Sequence, residues 1–230
     1  MTIIIRPLTG IPEINAGDDL AGMLAAAMRP LSPTDGDVLV VTQKVVSKAE
    51  GATRPAADEA AYRQIVEEEA EAVLRRRGPL VITVTKHGFV CANAGVDRSN
   101  VDGARVVLLP DDPDRSAHRI RLRVERELGV SIAVIITDTF GRAWRRGLVD
   151  VAIGVSGMLP VLDLRGSTDM HGRILEVTEV AIADEIAAAA ELVTGKARGI
   201  PAALVSGYAY PPGEGRATDL IRAPAEDMFR

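Results

Sequence analysis

Short apolar runs alternate along the chain with longer segments in which apolar residues recur every three or four positions. The short runs predict strands, at residues 2–5, 38–41, 80–84, 89–91, 106–109, from about 132 to 136, 150–155 and 202–205. The longer segments predict helices, at residues 20–28, 58 to about 77, 117–128 and 178–193. Because these elements alternate irregularly, without a repeat or a linker, the pattern predicts one α+β (mixed α/β) domain over residues 1–230.

The strand that begins near residue 132 ends abruptly in three polar residues, Thr137, Asp138 and Thr139. We interpret the stretch that follows as a glycine-punctuated loop, with three arginines: Arg142, Arg145 and Arg146. Carboxylate and hydroxyl oxygens are ligands that Mg²⁺ and Mn²⁺ prefer, and guanidinium groups match phosphate or carboxylate oxygens in pairs. The segment therefore indicates a site where a metal ion and an anionic substrate meet. The structural alternative is a capping aspartate followed by a solvated basic loop.

Composition narrows the classes of function. A net charge of −5 disfavours general binding to nucleic acid or to anionic membranes. No apolar run approaches the roughly 18 residues that a membrane span needs. The single cysteine, Cys91, cannot form an internal disulfide and lies in an apolar stretch. We therefore expect a buried thiol, a reducing compartment and a cytoplasmic location.

Other polar residues have both a functional and a structural interpretation. Lys48 follows a predicted strand, where its ammonium group either contacts a phosphate or lies at the surface. Asp97 lies in a polar turn and gains interest only if it shares a divalent ion with Asp138. We interpret His87 and His171, each beside a glycine, as solvated loop histidines, and Asp150 as a structural carboxylate.

Five blocks of the sequence, in order, resemble the coenzyme F420-0:L-glutamate ligase family, most of all the N-terminal ligase domain of its actinobacterial bifunctional form. The blocks are residues 45–51 (VVSKAEG), 94–100 (AGVDRSN), 136–139 (ITDT), 141–145 (GRAWR) and 177–187 (VTEVAIADEIA). The resemblance extends over residues 3 to 229. Several long blocks in the same order make it highly specific.

The resemblance implies a GTP-hydrolysing acid–amino-acid ligase in coenzyme F420 biosynthesis. In this family the terminal carboxylate of F420-0 is phosphorylated to an acyl phosphate, and the amine of L-glutamate then displaces the phosphate. Further rounds add γ-linked glutamates. The family requires Mg²⁺ or Mn²⁺ with K⁺ assisting, and it folds as a mixed α/β chain that forms an intertwined homodimer.

Residue by residue, the resemblance assigns Asp97, Asp138 and Thr139 as metal ligands. It assigns a guanine-nucleotide loop and further GTP contacts to these positions: Ile11, Pro12, Glu13, Ile14, Gln43, Lys48 and Asn100. Gln43 departs from the serine of the mycobacterial pattern, so the choice of nucleotide is open at this position. Asp138, Asp97 and Lys48 are the predicted catalytic residues.

The charge of Arg142, Arg145 and Arg146 predicts that they bind the phosphodiester or carboxylates of F420-0. Two other functions stay open from the sequence. One is a non-catalytic module that binds a nucleotide or F420, and the other is an amide ligase with the same chemistry that acts on a different acid.

Overall fold

The computed structural model describes residues 1–98 and 104–228, which form a mixed α/β fold as predicted. The strands are β1 (Ile4–Leu8), β2 (Val38–Thr42), β3 (Thr53–Pro55), β4 (Ala70–Arg77), β5 (Leu80–Thr85), β6 (Val90–Ala92), β7 (Arg105–Val107), β8 (Ala133–Arg142), β9 (Arg145–Ser156), β10 (Leu162–Asp163), β11 (Glu179–Val180) and β12 (Ala202–Ser206). The α-helices are α1 (Leu20–Met28), α2 (Gln43–Ala49), α3 (Glu59–Glu69), α4 (Pro113–Leu128) and α5 (Ile182–Thr194). Short 3₁₀ turns lie at Arg29–Leu31, Asn93–Gly95, Ala217–Leu220 and Pro224–Glu226.

The central sheet has five strands in the order β1-β12-β2-β8-β9. Strands β2 and β8 run parallel, with Thr42 opposite Thr137, whereas the other neighbours are antiparallel. The carboxyl end of β2 therefore lies beside Thr137 of β8, and β8 continues beyond it to Arg142. Smaller antiparallel sheets pair β3 with β7, β10 with β11, and β4 with β5 and β6.

The core lies around β2 and β8, whose continuous apolar runs are typical of strands covered on both faces. Helix α4 packs against β8 and β9, and α5 packs against β9, β12 and β1. Within the described residues, no helix is long and apolar enough to span a membrane.

The predicted helix from residue 58 to about 77 is wrong in its second half. Helix α3 begins after its N-cap Asp58 but ends at Glu69, and the chain continues as β4, which pairs with β5 through the tight turn at Gly78. Acidic residues followed by arginines suggested a helix with a favourable dipole. Instead the arginines extend along an exposed strand, and Arg76 pairs back to Glu67 at 3.1 Å.

The predicted loop after Gly141 is also wrong. Strand β8 continues through Arg142, and β9 begins at Arg145, so the two arginines face each other across a two-residue turn. Trp144 in this turn has a φ of 58°, a left-handed conformation that is uncommon for a residue with a side chain. The tip of the β8–β9 hairpin, called the arm below, stays extended because the backbone groups of β8 pair with those of β9. Near residue 178, the strand β11 comes first and α5 begins at Ile182.

Candidate active site

The polar edge formed by β2 and β8 brings together residues that are far apart in the sequence. Thr42 and Thr137 are register partners, so α2 begins at Gln43 where β8 continues into Asp138. Sites at the carboxyl ends of parallel strands are common because loops and helix starts converge there. This edge therefore carries two of the predicted site segments.

Asp138 is partly buried at this edge. Burial is the main cause that raises its pKa to about 7, and the carboxylates of Asp97 and Asp150 raise the pKa further. The backbone N–H of Thr139 and the ammonium group of Lys196 oppose this shift by favouring the charged carboxylate. A partly buried carboxylate beside two others is a position that a cation stabilises.

Asp97 lies next to Lys44, a residue that neither the pattern nor the resemblance had indicated. Lys44 Nζ lies 2.7 Å from Asp97 Oδ2. The backbone of Asp97 is fixed by two hydrogen bonds: its N–H donates to the Val107 carbonyl at 2.9 Å, and the Val107 N–H donates back at 2.8 Å. The Asp97 carboxylate is thus presented to the edge by a rigid backbone.

Thr139 lies opposite Asp150 in the β8–β9 ladder. Its hydroxyl donates a hydrogen bond to Asp150 Oδ1 at 2.6 Å, and the Thr137 hydroxyl donates to Asp150 Oδ2 at 3.3 Å. The oxygen of Thr139 keeps lone pairs that can contact a cation. Asp150 is buried and orients this hydroxyl, a role that agrees with its interpretation as a structural carboxylate.

The residues predicted to contact the nucleotide lie on α2 and in the loop that precedes α1. Lys48 forms an ion pair with Glu13, and its side chain is only 11% exposed, so it is not a free surface lysine. This pair attaches the predicted nucleotide loop to α2, and the Gly17 N–H donates to the Ala49 carbonyl at 2.9 Å. The loop residues Ile11 and Pro12 line an open groove of about 410 Å³, whereas Ile14 belongs to the core.

Gln43 is almost fully buried at the start of α2. Its Oε1 accepts a hydrogen bond from the Ser47 hydroxyl at 2.9 Å, but in the described part of the chain its Nε2 has no hydrogen-bond partner. A buried donor without a partner is costly, and a ligand oxygen at this edge would satisfy it. Asn100, the remaining predicted GTP contact, lies outside the described residues.

The three predicted substrate arginines lie on the exposed tip of the β8–β9 hairpin. Arg142 donates to the Arg146 carbonyl at 2.7 Å and so closes the turn. At about 3.3 Å per strand residue, Arg142 lies about 13 Å along β8 from Asp138. The fold of one chain therefore does not bring these arginines beside its own aspartates.

The side chains at the edge suit a hard divalent cation in their chemistry. Asp97 and Asp138 offer carboxylate oxygens, and Thr139 offers a hydroxyl oxygen. Within residues 1–98 and 104–228, no three His, Cys, Asp or Glu side chains form a preassembled metal site. The protein donors are few, as in Mg²⁺ sites where phosphate and water complete the coordination shell.

The structure also tests the predictions for Cys91, His87 and His171. Cys91 is buried, as predicted, and burial raises the pKa of its thiol to about 12, so it is a poor nucleophile. His87 is not simply solvated: it stacks on Phe89, and its Nε2 lies 3.1 Å from the Asp111 carbonyl. His171 is exposed, as predicted.

Comparisons with known proteins show the family to which the chain belongs. Residues 10–207 match the model of the family described as F420-0:Gamma-glutamyl ligase. The chain is 40% identical to the Coenzyme F420:L-glutamate ligase of Methanothermobacter thermautotrophicus, over all of both chains. It is 41% identical to that of Methanopyrus kandleri and 43% identical to that of Archaeoglobus fulgidus, over all of this chain and 98% and 97% of theirs. This chain belongs to the F420-0:gamma-glutamyl ligase family.

Proposed function

We propose that this protein ligates L-glutamate to coenzyme F420-0 in F420 biosynthesis, with GTP as the phosphate donor, and that it adds further γ-linked glutamates. The observation that carries the proposal is the convergence of Asp97, Asp138 and Thr139 at the edge where β2 ends beside β8. Family membership supports the ligase activity. GTP, the acyl phosphate and the repeated additions belong to the proposal.

The proposed reaction has two steps. A carboxylate oxygen of F420-0 attacks the γ-phosphorus of GTP, the bond to the leaving GDP breaks, and an acyl phosphate forms. The amine nitrogen of glutamate then attacks the acyl carbon, the carbon–oxygen bond to phosphate breaks, and the amine loses a proton. Phosphoryl transfer of this kind depends mainly on positioning and charge neutralisation.

Asp97, Asp138 and Thr139 would hold Mg²⁺ or Mn²⁺ in this scheme, with K⁺ as an assisting ion. When bound, the divalent ion supplies charge neutralisation at the transferred phosphoryl group. Two features of the chain support this assignment: the three donors are hard oxygens, and the carboxylates of Asp97 and Asp150 lie close enough to Asp138 to disfavour its ionisation, which a bound cation would offset.

The remaining site residues would hold the nucleotide. Lys48 places a positive charge beside the loop that contains Glu13, and its partly buried position fixes where that charge lies. Gln43 Nε2 offers a buried donor in α2, and Ile11 and Pro12 line a groove against Met23 and Ala27 of α1. The nucleotide would therefore lie along the first turn of α2.

The exposed β8–β9 hairpin supports the proposed intertwined homodimer. Trp144 is 79% exposed and Leu148 is 61% exposed on this arm. Large apolar side chains presented together on an extended arm are typical of contact surfaces. In the proposed dimer this arm contacts a second copy of the chain, and Arg142, Arg145 and Arg146 bind F420-0.

Incubation with F420-0, L-glutamate, Mg²⁺ or Mn²⁺ and K⁺, with GTP or ATP, tests the proposal by mass spectrometry. We expect GTP-dependent products heavier than F420-0 by whole glutamyl units, with one GDP released per unit. A parallel series with other small carboxylic acids tests acceptor choice. Absence of any glutamyl product from F420-0, while a known active ligase works in the same mixture, overturns the proposal. Equal GTP binding with and without Mg²⁺, together with no turnover, identifies a binding module instead.

A further inference from the structure

Lys44 pairs with one of the aspartates that the proposed function assigns to the divalent cation. Its Nζ lies 2.7 Å from Asp97 Oδ2, and the two side chains are 23% and 34% exposed. Lys44 follows Gln43 in the first turn of α2, at the end of the strand parallel to β8. The ammonium group therefore lies at the polar edge itself.

The fold determines which partner of this ion pair can move. Asp97 is fixed by its two backbone hydrogen bonds with Val107. Lys44 carries its charge on a flexible four-carbon chain. Because Lys44 is held in α2 as Asp97 is held by Val107, separation of the pair is a side-chain rotation, and the longer lysine side chain has more freedom to make it.

An ammonium group and a divalent cation compete for this carboxylate. A cation such as Mg²⁺ binds a carboxylate oxygen at about 2.0–2.1 Å, a position that overlaps with an ammonium group in contact with the same oxygen. Binding at the other oxygen of Asp97 would leave two cations a few ångströms apart, where they repel. The pair seen here and a metal-bound Asp97 are thus alternative states.

We propose that Lys44 is a positioning residue that occupies Asp97 in the enzyme without metal and leaves it when the divalent cation binds. This inference rests on the metal role of Asp97 in the proposed function. Lys44 neutralises Asp97 beside the partly buried Asp138 and so stabilises the empty site. The same contact lowers the affinity of the nucleotide-free enzyme for a free divalent ion.

Mn²⁺ binding to the full chain without nucleotide, followed by the electron paramagnetic resonance of free Mn²⁺, tests this competition directly. Lys44→Met should bind Mn²⁺ about three- to fivefold more tightly than the wild type, the range that loss of a partly exposed ion pair allows. Lys44→Arg keeps the charge and should bind like the wild type. Asp97→Asn should remove the gain when it is combined with Lys44→Met.

Lys196→Met is the matched control. It removes the same positive charge, but from a lysine that acts on the Asp138 carboxylate and not from the partner of Asp97. We expect its effect on Mn²⁺ affinity to be less than half that of Lys44→Met. An equal gain in both variants means general charge repulsion and overturns the proposal. So does an unchanged or weaker affinity in Lys44→Met, or no Mn²⁺ binding by either the wild type or Lys44→Met.

A measurement on the wild type covers the case in which Lys44→Met does not fold. The ¹⁵Nζ resonance of Lys44, assigned by its loss in Lys44→Arg, should shift when Mg²⁺ is added, whereas the resonance of Lys86, which pairs with Glu69, should not. An unmoved Lys44 resonance at saturating Mg²⁺ overturns the proposal. Neither measurement needs ligase turnover, so a failure here is distinguishable from failure of the F420-0 assay.

Discussion

Asp138 is held in a setting that opposes its own ionisation. Burial and the nearby carboxylates of Asp97 and Asp150 raise its pKa to about 7. Such an arrangement lowers the stability of the metal-free protein at neutral pH, because the charged form is disfavoured in the fold. Residues of this kind are retained where function needs them, so activity and stability should respond in opposite directions.

Asp138→Asn should separate these two properties. Turnover of F420-0 should fall by more than about 100-fold, since even indirect supports of a metal site are worth about 10- to 100-fold. The thermal midpoint in EDTA should rise, by about 2–4 °C for each kcal/mol of relieved repulsion in a chain of this size. Turnover assays and differential scanning calorimetry measure the two effects. Asp163→Asn, the same change at an exposed aspartate paired with Arg165, should leave both values near those of the wild type; a lower midpoint in Asp138→Asn contradicts the argument.

Gln43 allows a second prediction at the residue scale. If its unpartnered Nε2 donates to the nucleotide, Gln43→Met, which removes the donor and keeps the length of the side chain, should raise the KM for GTP about tenfold, the value of one hydrogen bond to a charged acceptor, and leave kcat within about twofold. Ser47→Ala removes the neighbouring hydrogen bond to Oε1 but keeps Nε2, and should change the KM for GTP much less. Steady-state kinetics with GTP and ATP measures the KM of both variants. Equal KM values for GTP in the two variants would show that Gln43 does not contact the nucleotide.

At the scale of elements, the sequence pattern predicted the central sheet better than the smaller ones. Strands β2 and β12 are continuous apolar runs buried on both faces, so periodicity and burial gave the same answer. Strand β4 and the tip of the β8–β9 hairpin are mostly exposed and rich in arginine. Their strand form depends on pairing with a neighbour, which local composition does not encode.

The candidate site, like the fold, was predicted only in part from the sequence. Asp138 and Thr139 stood out because hard ligands end an apolar strand, whereas their proximity to Asp97 was suggested only by the resemblance. Lys44 and Lys196 were missed, since a lysine in a turn has the same local pattern whether it is solvated or faces a carboxylate. Their interest comes from the parallel register of β2 and β8 and from the loop after α5.

Helix α5 supplies a prediction for the element scale. Its acidic residues have the spacing of a solvated face, yet Asp184 accepts a hydrogen bond from the Ala152 N–H of β9 at 2.9 Å, while Glu185 is exposed. Asp184→Ala should lower the free energy of unfolding by about 1–3 kcal/mol, because a buried donor loses its acceptor. Asp184→Asn keeps an acceptor and should cost less, and Glu185→Ala should be nearly neutral. Urea unfolding measures all three, and equal losses for Asp184→Ala and Glu185→Ala would contradict the contact.

At the scale of the whole molecule, the position of the hairpin arm, more than its composition, indicates which active site its arginines serve. Its arginines lie about 13 Å along the strand from Asp138 of the same chain, on a tip that is exposed and carries Trp144. In the proposed homodimer, an arm of this length reaches a second copy more readily than its own aspartates. We therefore expect each arm to serve the site of the other subunit.

Mixing two inactive variants tests this expectation. Arg145→Ala leaves the turn-closing bond from Arg142 to the Arg146 carbonyl in place, and Asp138→Asn leaves the arm intact. If arginines act across the dimer, a mixed dimer contains one site with both an intact Asp138 and an intact arm. Random pairing makes half of the dimers mixed, so a refolded equal mixture should regain about one quarter of wild-type turnover. Arginines that act within their own chain give no such recovery, and neither should a mixture in which both subunits carry Arg145→Ala; size-exclusion chromatography with light scattering confirms that the subunits associate.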